Sequence, residues 1–132
     1  MKDEITLARG WILKGDSDLA DAQRTVSSEG PYDTACFHAQ QAVEKYLKAF
    51  LAVQQQPIPR THDLEELAAL CANVAAPRDL GLPELSDLTG YAVELRYDPE
   101  FWPTRSAASE AVTLADQVRG IILSVIPKQA CP

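Results

Sequence analysis

The sequence has two histidines, whose side chains ordinarily titrate near neutrality. One of them lies within a long helical pattern. At about 100° per residue, four polar residues of that pattern share one face beside its apolar stripe: His38, Gln41, Lys45 and Lys48. These groups suit the polar, partly cationic wall of a groove for a ligand or a partner. Alternatively, they line the rim of the core and satisfy backbone groups of a loop. Glu44 precedes Lys48 by four residues, in the order that favours an ion pair within a helix.

The second histidine lies in a turn that precedes another helical pattern. The turn reads Arg60-Thr61-His62-Asp63, and Asp63 has capping-box spacing to Glu66. We predict a capping and docking turn whose imidazole hydrogen-bonds a backbone carbonyl. The alternative is a phosphate or carboxylate site formed by Arg60 and the free N–H groups of the helix start.

An aromatic turn with one arginine follows the fourth helical pattern. It reads Arg96-Tyr97-Asp98-Pro99-Glu100-Phe101-Trp102-Pro103. As structure, its aromatic side chains would cover the end of the fold while Arg96 pairs with Asp98 or Glu94. As function, a guanidinium beside aromatic rings suits a nucleotide or a helical partner. We therefore group Arg96 and Tyr97 with the candidate groove on the second helix.

Familiar catalytic motifs are absent from the sequence. It has no glycine-rich phosphate loop, no HExxH and no nucleophile-elbow motif. Neither histidine has a second metal ligand at suitable spacing, and the three cysteines form no CxxC pair. We therefore expect no metal site and no cofactor, and we assign no catalytic residue.

Five helical segments are indicated by apolar residues that alternate three and four positions apart. Their stripes span residues 8–26, 36–53, 64–74, 85–95 and 108–125. All nine prolines fall between or beyond these stripes, which supports the assignment. Gly15 lies on the first stripe, where its small size would permit close approach of another helix. The short connections predict an all-α, antiparallel bundle of about five helices.

Composition and charge limit the class of protein. The 132 residues, 46% apolar and 23% charged, predict a single globular domain over residues 1–132. The net charge is −7, and residues 61–103 carry nine acidic against two basic side chains. Without a basic run we expect no DNA binding. No apolar run is long enough to span a membrane, and the start of the chain lacks a secretory pattern, so we expect a cytoplasmic protein.

Three blocks of residues together give the sequence a specific resemblance. They are residues 37–49, Pro59-Arg60-Thr61-His62-Asp63-Leu64, and Leu95-Arg96-Tyr97. In order and spacing the chain resembles the HEPN domain family over about residues 8–125. That family comprises small helical domains of higher eukaryotes and prokaryotes, named for proposed nucleotide binding.

The resemblance implies an up-down four-helix core with two long antiparallel helices, usually paired as a homodimer. Prokaryotic members are often encoded beside a minimal nucleotidyltransferase, in toxin–antitoxin-like pairs. Catalytic members are metal-independent ribonucleases that use an Arg followed by His after four to six intervening residues. Here Phe101, Trp102 and Pro103 occupy the positions of that histidine after Arg96.

The leading hypothesis is a non-catalytic, homodimeric HEPN interaction module that works with a minimal nucleotidyltransferase and has a nucleotide or RNA as a further candidate ligand. The second hypothesis is a ribonuclease with a non-standard site, in which folding brings His38 or His62 to Arg96. The third is a ligand-binding protein whose pocket is walled by Gln41, Lys45, Lys48 and Tyr97.

Overall fold

Five α-helices account for most of residues 3–92 and 97–132, which are the residues that the computed structural model describes. They are α1 (Glu4–Val26), α2 (Asp33–Val53), α3 (Leu64–Ala75), α4 (Ser86–Thr89) and α5 (Arg105–Val125), followed by a 3-10 turn over Lys128–Ala130. The described part of the chain contains no strand. The prediction of an all-α helical bundle is therefore confirmed.

The long helices α1 and α2 form an antiparallel hairpin. Gln55, just beyond the end of α2, donates to Glu4 at the start of α1 at 3.4 Å, whereas His38 near the start of α2 contacts Asp18. Most of the predicted stripe residues of the two helices are buried, and only Val26 and Val53, at the helix ends, are half-buried. The apolar periodicity of the sequence thus identifies the faces that pack together.

Gly15 is the point of closest approach between α1 and α2. A Cβ atom at this position would lie 2.7 Å from Cε1 of the Tyr46 ring, which is itself fully buried. The Tyr46 hydroxyl donates to Oδ1 of Asp16 at 2.7 Å, and Nε of Arg119 on α5 donates to the same oxygen at 2.8 Å. One carboxylate therefore ties three helices together.

Side-chain caps set the starts of three helices. The carboxylate of Asp3 accepts from the Thr6 N–H at 2.7 Å, and the hydroxyl of Thr104 accepts from the Ala107 N–H at 3.1 Å. Asp63 caps α3 by accepting from the first free N–H groups, as its position in the sequence predicts.

The fourth predicted helix is interrupted at Gly90. The structure has a single helical turn, α4, before this glycine; Tyr91 and Ala92 are helical again, and residues 93–96 lie outside the described residues. Glycine lowers helix stability by about 1 kcal/mol relative to alanine, so a short helix ends readily there. Leu85, Leu88 and Ala92 are buried as the stripe predicts, and Leu95 lies outside the described residues.

The C-terminal residues pack back onto α1. Nη1 of Arg9 donates to the carbonyls of Gln129 at 3.4 Å and Cys131 at 3.3 Å. None of the described helices combines the length and the apolar character that crossing a bilayer requires.

Candidate functional site

Asp18 on α1 joins two of the predicted groove residues. Its Oδ1 accepts from Nδ1 of His38 at 2.8 Å, and its Oδ2 forms an ion pair with the ammonium of Lys45. His38 and Lys45 are seven residues apart on α2, so they project from the same face two turns apart. Because a carboxylate oxygen can only accept, Nδ1 of His38 is the donor in this hydrogen bond.

Glu44 forms a second centre of the same kind, at the junction of α2 with the turn before α3. Its Oε1 accepts from Nδ1 of His62 at 2.7 Å, and its Oε2 accepts from Nζ of Lys48 at 3.1 Å. The Glu44 side chain is only 6% exposed, and the Lys48 side chain 10%. The predicted helix pair is therefore present, and it is buried.

Gln40 holds the backbone of the same turn. Its Nε2 donates to the His62 carbonyl at 3.1 Å, and its Oε1 accepts from Nε2 of Gln41 at 2.7 Å. The sequence predicts an imidazole bonded to a backbone carbonyl, but the His62 ring contacts a carboxylate, and its own carbonyl is the group that accepts from a side chain. The reason is that the turn docks on the polar face of α2, where Glu44 is the nearest strong acceptor.

The start of α3 uses its own carboxylate where an external anion would bind. Oδ1 of Asp63 accepts from the N–H groups of Glu65 at 3.0 Å and Glu66 at 3.2 Å. Instead of a reciprocal bond from Glu66, the hydroxyl of Thr61 accepts from the Asp63 N–H and donates to Glu66. Arg60 is exposed and forms no ion pair with a described residue.

Trp11 lies beside the Glu44 centre. The Lys48 ammonium is 5.6 Å from the centroid of its ring, within range of a cation–π contact. The indole Nε1 is buried and has no hydrogen-bond partner among the described residues. Trp11 and Asp18 are seven residues apart, so α1 presents the indole and the carboxylate on one face.

Next to Lys45 on α2, the phenol of Tyr46 is fully buried in the core. Burial and the hydrogen bond to Asp16 raise the pKa of Tyr46 well above the ordinary value for tyrosine. The same carboxylate raises the pKa of Arg119. Tyr46 and Arg119 therefore keep their protons across the physiological pH range, and the protonation of these two groups does not change there.

The structure brings together most of the candidate residues on α2. His38 meets Lys45 at Asp18, Lys48 meets His62 at Glu44, and Gln41 joins the second centre through Gln40. Hereafter the two centres together are called the α2 groove, after the groove that the sequence predicts. Tyr97 is 76% exposed, and within the described part of the chain no contact links it to the α2 groove. Arg96 lies outside the described residues.

Four groove residues were not among the candidates from sequence: Trp11, Asp18, Gln40 and Glu44. The sequence identifies Glu44 as the partner of Lys48 within α2, but only the structure shows that it is buried. Trp11 and Asp18 have heptad spacing on α1, but nothing in the sequence says which residues of α2 they face. Among the described residues, no three potential ligands from His, Cys, Asp and Glu are grouped so as to hold a metal ion.

Comparison with known proteins assigns the family. A family model described as HEPN domain matches residues 8–125. The chain belongs to the HEPN family. Its fold is similar to the crystal structure of TT1696 from Thermus thermophilus, with a TM-score of 0.71 and 29% identity over 89% of this chain and 96% of that chain. The comparison with curated proteins gave no match.

Proposed function

We propose that this HEPN chain is a non-catalytic, homodimeric interaction module of the cytoplasm that pairs with a minimal nucleotidyltransferase, in a toxin–antitoxin-like arrangement. Family membership supports the pairing, since it is the arrangement that the family resemblance implies. The three cysteines are not joined in disulfides, which suits a reducing compartment.

The observation that carries the non-catalytic role is charge compensation in the α2 groove. Asp18 neutralises Lys45 and also holds His38, while Glu44 neutralises Lys48 and also holds His62. With neutral imidazoles the four charged side chains sum to zero. An RNA phosphate entering the groove would have to displace a carboxylate from each ammonium, which removes most of the electrostatic gain of binding.

The sequence supports the same role. Members with ribonuclease activity carry an arginine followed closely by a histidine, and the positions after Arg96 hold Phe101, Trp102 and Pro103. Neither His38 nor His62 has an arginine at the matching distance before it. A guanidinium without an imidazole can stabilise charge but cannot transfer protons near pH 7.

The second candidate is a metal-independent ribonuclease with a non-standard site. The pair of His62 and Glu44 favours it, because an imidazole held by a carboxylate at Nδ1 has the geometry used in general acid–base catalysis. The His62 side chain is 62% exposed, so its other nitrogen is accessible to a substrate.

One pair of experiments separates the two candidates. Purified chain is incubated with end-labelled RNA in EDTA, and the module predicts no cleavage above that of His62→Ala and Arg96→Ala variants. Cleavage that either variant abolishes would establish the ribonuclease. In parallel, the genes beside that of this chain are inspected for a minimal nucleotidyltransferase, which is then co-expressed with the chain. The module predicts that such a gene is present and that the two proteins co-elute at a mass that includes two copies of this chain.

A further inference from the structure

A groove runs along α5 beside α4, outside the α2 groove. It consists of two adjoining clefts of about 460 Å³ and 170 Å³ that share Glu110 and Leu114. The smaller cleft is also lined by Asp87, Leu88 and Tyr91. Tyr91 and Leu114, both half-buried, give the groove its apolar surface above the buried Leu88, and the exposed Asp87 and Glu110 give it an acidic rim.

The aromatic turn adjoins this groove. The ring of Phe101 is 5.6 Å from the ring of Tyr91, measured between centroids, so the turn lies against the end of the smaller cleft. Two aromatic side chains nearby in sequence stay largely in solvent, since Tyr97 is 76% and Trp102 65% exposed. Trp102 directly follows Phe101 in the chain, and exposed tyrosine and tryptophan are typical of protein interfaces.

The stretch of sequence that forms the α4 side of the groove is strongly negative. From Asp79 to Glu100 the sequence carries six acidic residues and one basic residue, Arg96. Glu84 accepts from the Ser86 N–H, and this hydrogen bond lowers the pKa of its carboxyl, so it is ionised at neutral pH. Arg105, at the start of α5, is engaged elsewhere: its guanidinium donates to the Ser28 carbonyl at 2.6 Å and lies over the Tyr32 ring.

We propose that this acidic groove, defined by Asp87, Leu88, Tyr91, Glu110 and Leu114 with Trp102 beside it, docks a basic amphipathic helix of a partner protein. Apolar residues three and four apart on that helix would cover Tyr91 and Leu114, and flanking lysine or arginine residues would pair with the rim. A cation of the partner would also stack on the exposed indole. This inference rests on the proposed interaction role, for which it supplies a surface.

Charge decides among the possible occupants. Across a two-fold axis a second copy would set acidic rim against acidic rim, which opposes self-association through this face. RNA is disfavoured for the same reason, because its phosphates would meet carboxylates. A basic helix is complementary in both charge and apolar pattern.

The test uses the full chain and two designed peptides as probes. One is an 18-residue amphipathic helix of leucine and lysine, and the other has glutamate at every lysine position. Titration calorimetry should show binding of the lysine peptide only, weakening as salt is raised. In the double variant Asp87→Lys and Glu110→Lys the affinity should fall at least tenfold, whereas in the control Glu65→Lys, on exposed α3, it should change less than twofold.

Circular dichroism of each variant confirms that it is folded before it is titrated. Trp102→Ala, which removes an exposed side chain, gives a second reading and should weaken binding several-fold. Absence of binding to the lysine peptide, or equal loss in the groove and control variants, would overturn the assignment of this groove.

A co-elution arm separates failure of the groove from failure of the proposed function. If the nucleotidyltransferase binds the wild-type chain and the double variant equally, the groove assignment is wrong and the interaction role stands. If it binds neither while the peptide results hold, the groove assignment stands and the pairing with a nucleotidyltransferase is wrong.

Discussion

Asp18 and Glu44 are the two residues that most constrain the chemistry of the α2 groove. Each is largely buried and each holds one imidazole and one ammonium, so neither lysine is a free cation for a ligand. Removing one partner of a buried ion pair lowers the free energy of unfolding by several kcal/mol, because the other charge is left buried and unpaired. We therefore treat these two carboxylates as structural residues that also define the groove.

Glu44→Ala should lower the free energy of unfolding by about 3 kcal/mol, because it leaves the Lys48 ammonium buried without its carboxylate and releases His62. Urea unfolding at neutral pH measures this loss. The matched control is Glu65→Ala, an exposed position on α3, which should change stability by less than about 0.5 kcal/mol. Equal effects of the two substitutions would contradict the buried-pair interpretation.

Tyr46→Phe should cost about 1 kcal/mol at pH 7, since it removes the hydrogen bond to Asp16 but keeps the ring. The raised pKa of Tyr46 gives this cost a pH dependence. Above about pH 10 the unfolded phenol ionises while the folded one keeps its proton, so the wild-type chain loses about 1.4 kcal/mol per pH unit relative to the variant. Urea unfolding should therefore show that the difference in unfolding free energy between the wild-type chain and Tyr46→Phe disappears by about pH 11. A difference that stays constant with pH would rule out a buried, protonated phenol.

At the scale of helices, the hairpin of α1 and α2 depends on one small residue. Gly15 gives the Tyr46 ring room to lie against the α1 backbone, and this contact fixes the register that brings Asp18 opposite His38 and Lys45. The groove geometry is thus a consequence of helix packing.

Gly15→Ala should destabilise the protein by about 1–3 kcal/mol, because the added methyl overlaps the Tyr46 ring by more than helix propensity can offset. Gly10→Ala is the control on the same helix. A Cβ at position 10 meets no atom within 4 Å, so that substitution should be neutral or stabilise by up to about 1 kcal/mol. Thermal unfolding of both variants measures the difference, and a stabilising Gly15→Ala would show that the close approach is absent.

The helices themselves were predictable because apolar period and proline position agree, as at the ends of α2 and α5. The break at Gly90 was not predicted, since the stripe through Leu88 and Ala92 continues across it. The ion pairs between helices could not be predicted from the sequence either, because Asp18 meets Lys45 only in the register that Gly15 permits. The contact of His62 with Glu44 depends on how a loop docks, which local spacing does not encode.

At the scale of the whole molecule, charge is distributed between two surfaces of different character. The α2 groove is neutral through internal pairing, whereas the acidic groove beside α5 keeps exposed carboxylates and exposed aromatic rings. Among the described residues, neither surface offers an uncompensated cation to a phosphate backbone. This distribution suits a domain that binds protein partners, and it agrees with the net charge of −7.

Whether internal carboxylates neutralise the lysines of the α2 groove is tested by the binding of two ligands, a short fluorescein-labelled RNA and AMP, to the wild-type chain and to Asp18→Asn. Fluorescence anisotropy and calorimetry at low salt should detect little binding to the wild-type chain. The variant should gain at least tenfold in affinity for either ligand as Lys45 and His38 become available. Micromolar binding by the wild-type chain that Asp18→Asn leaves unchanged would contradict the claim.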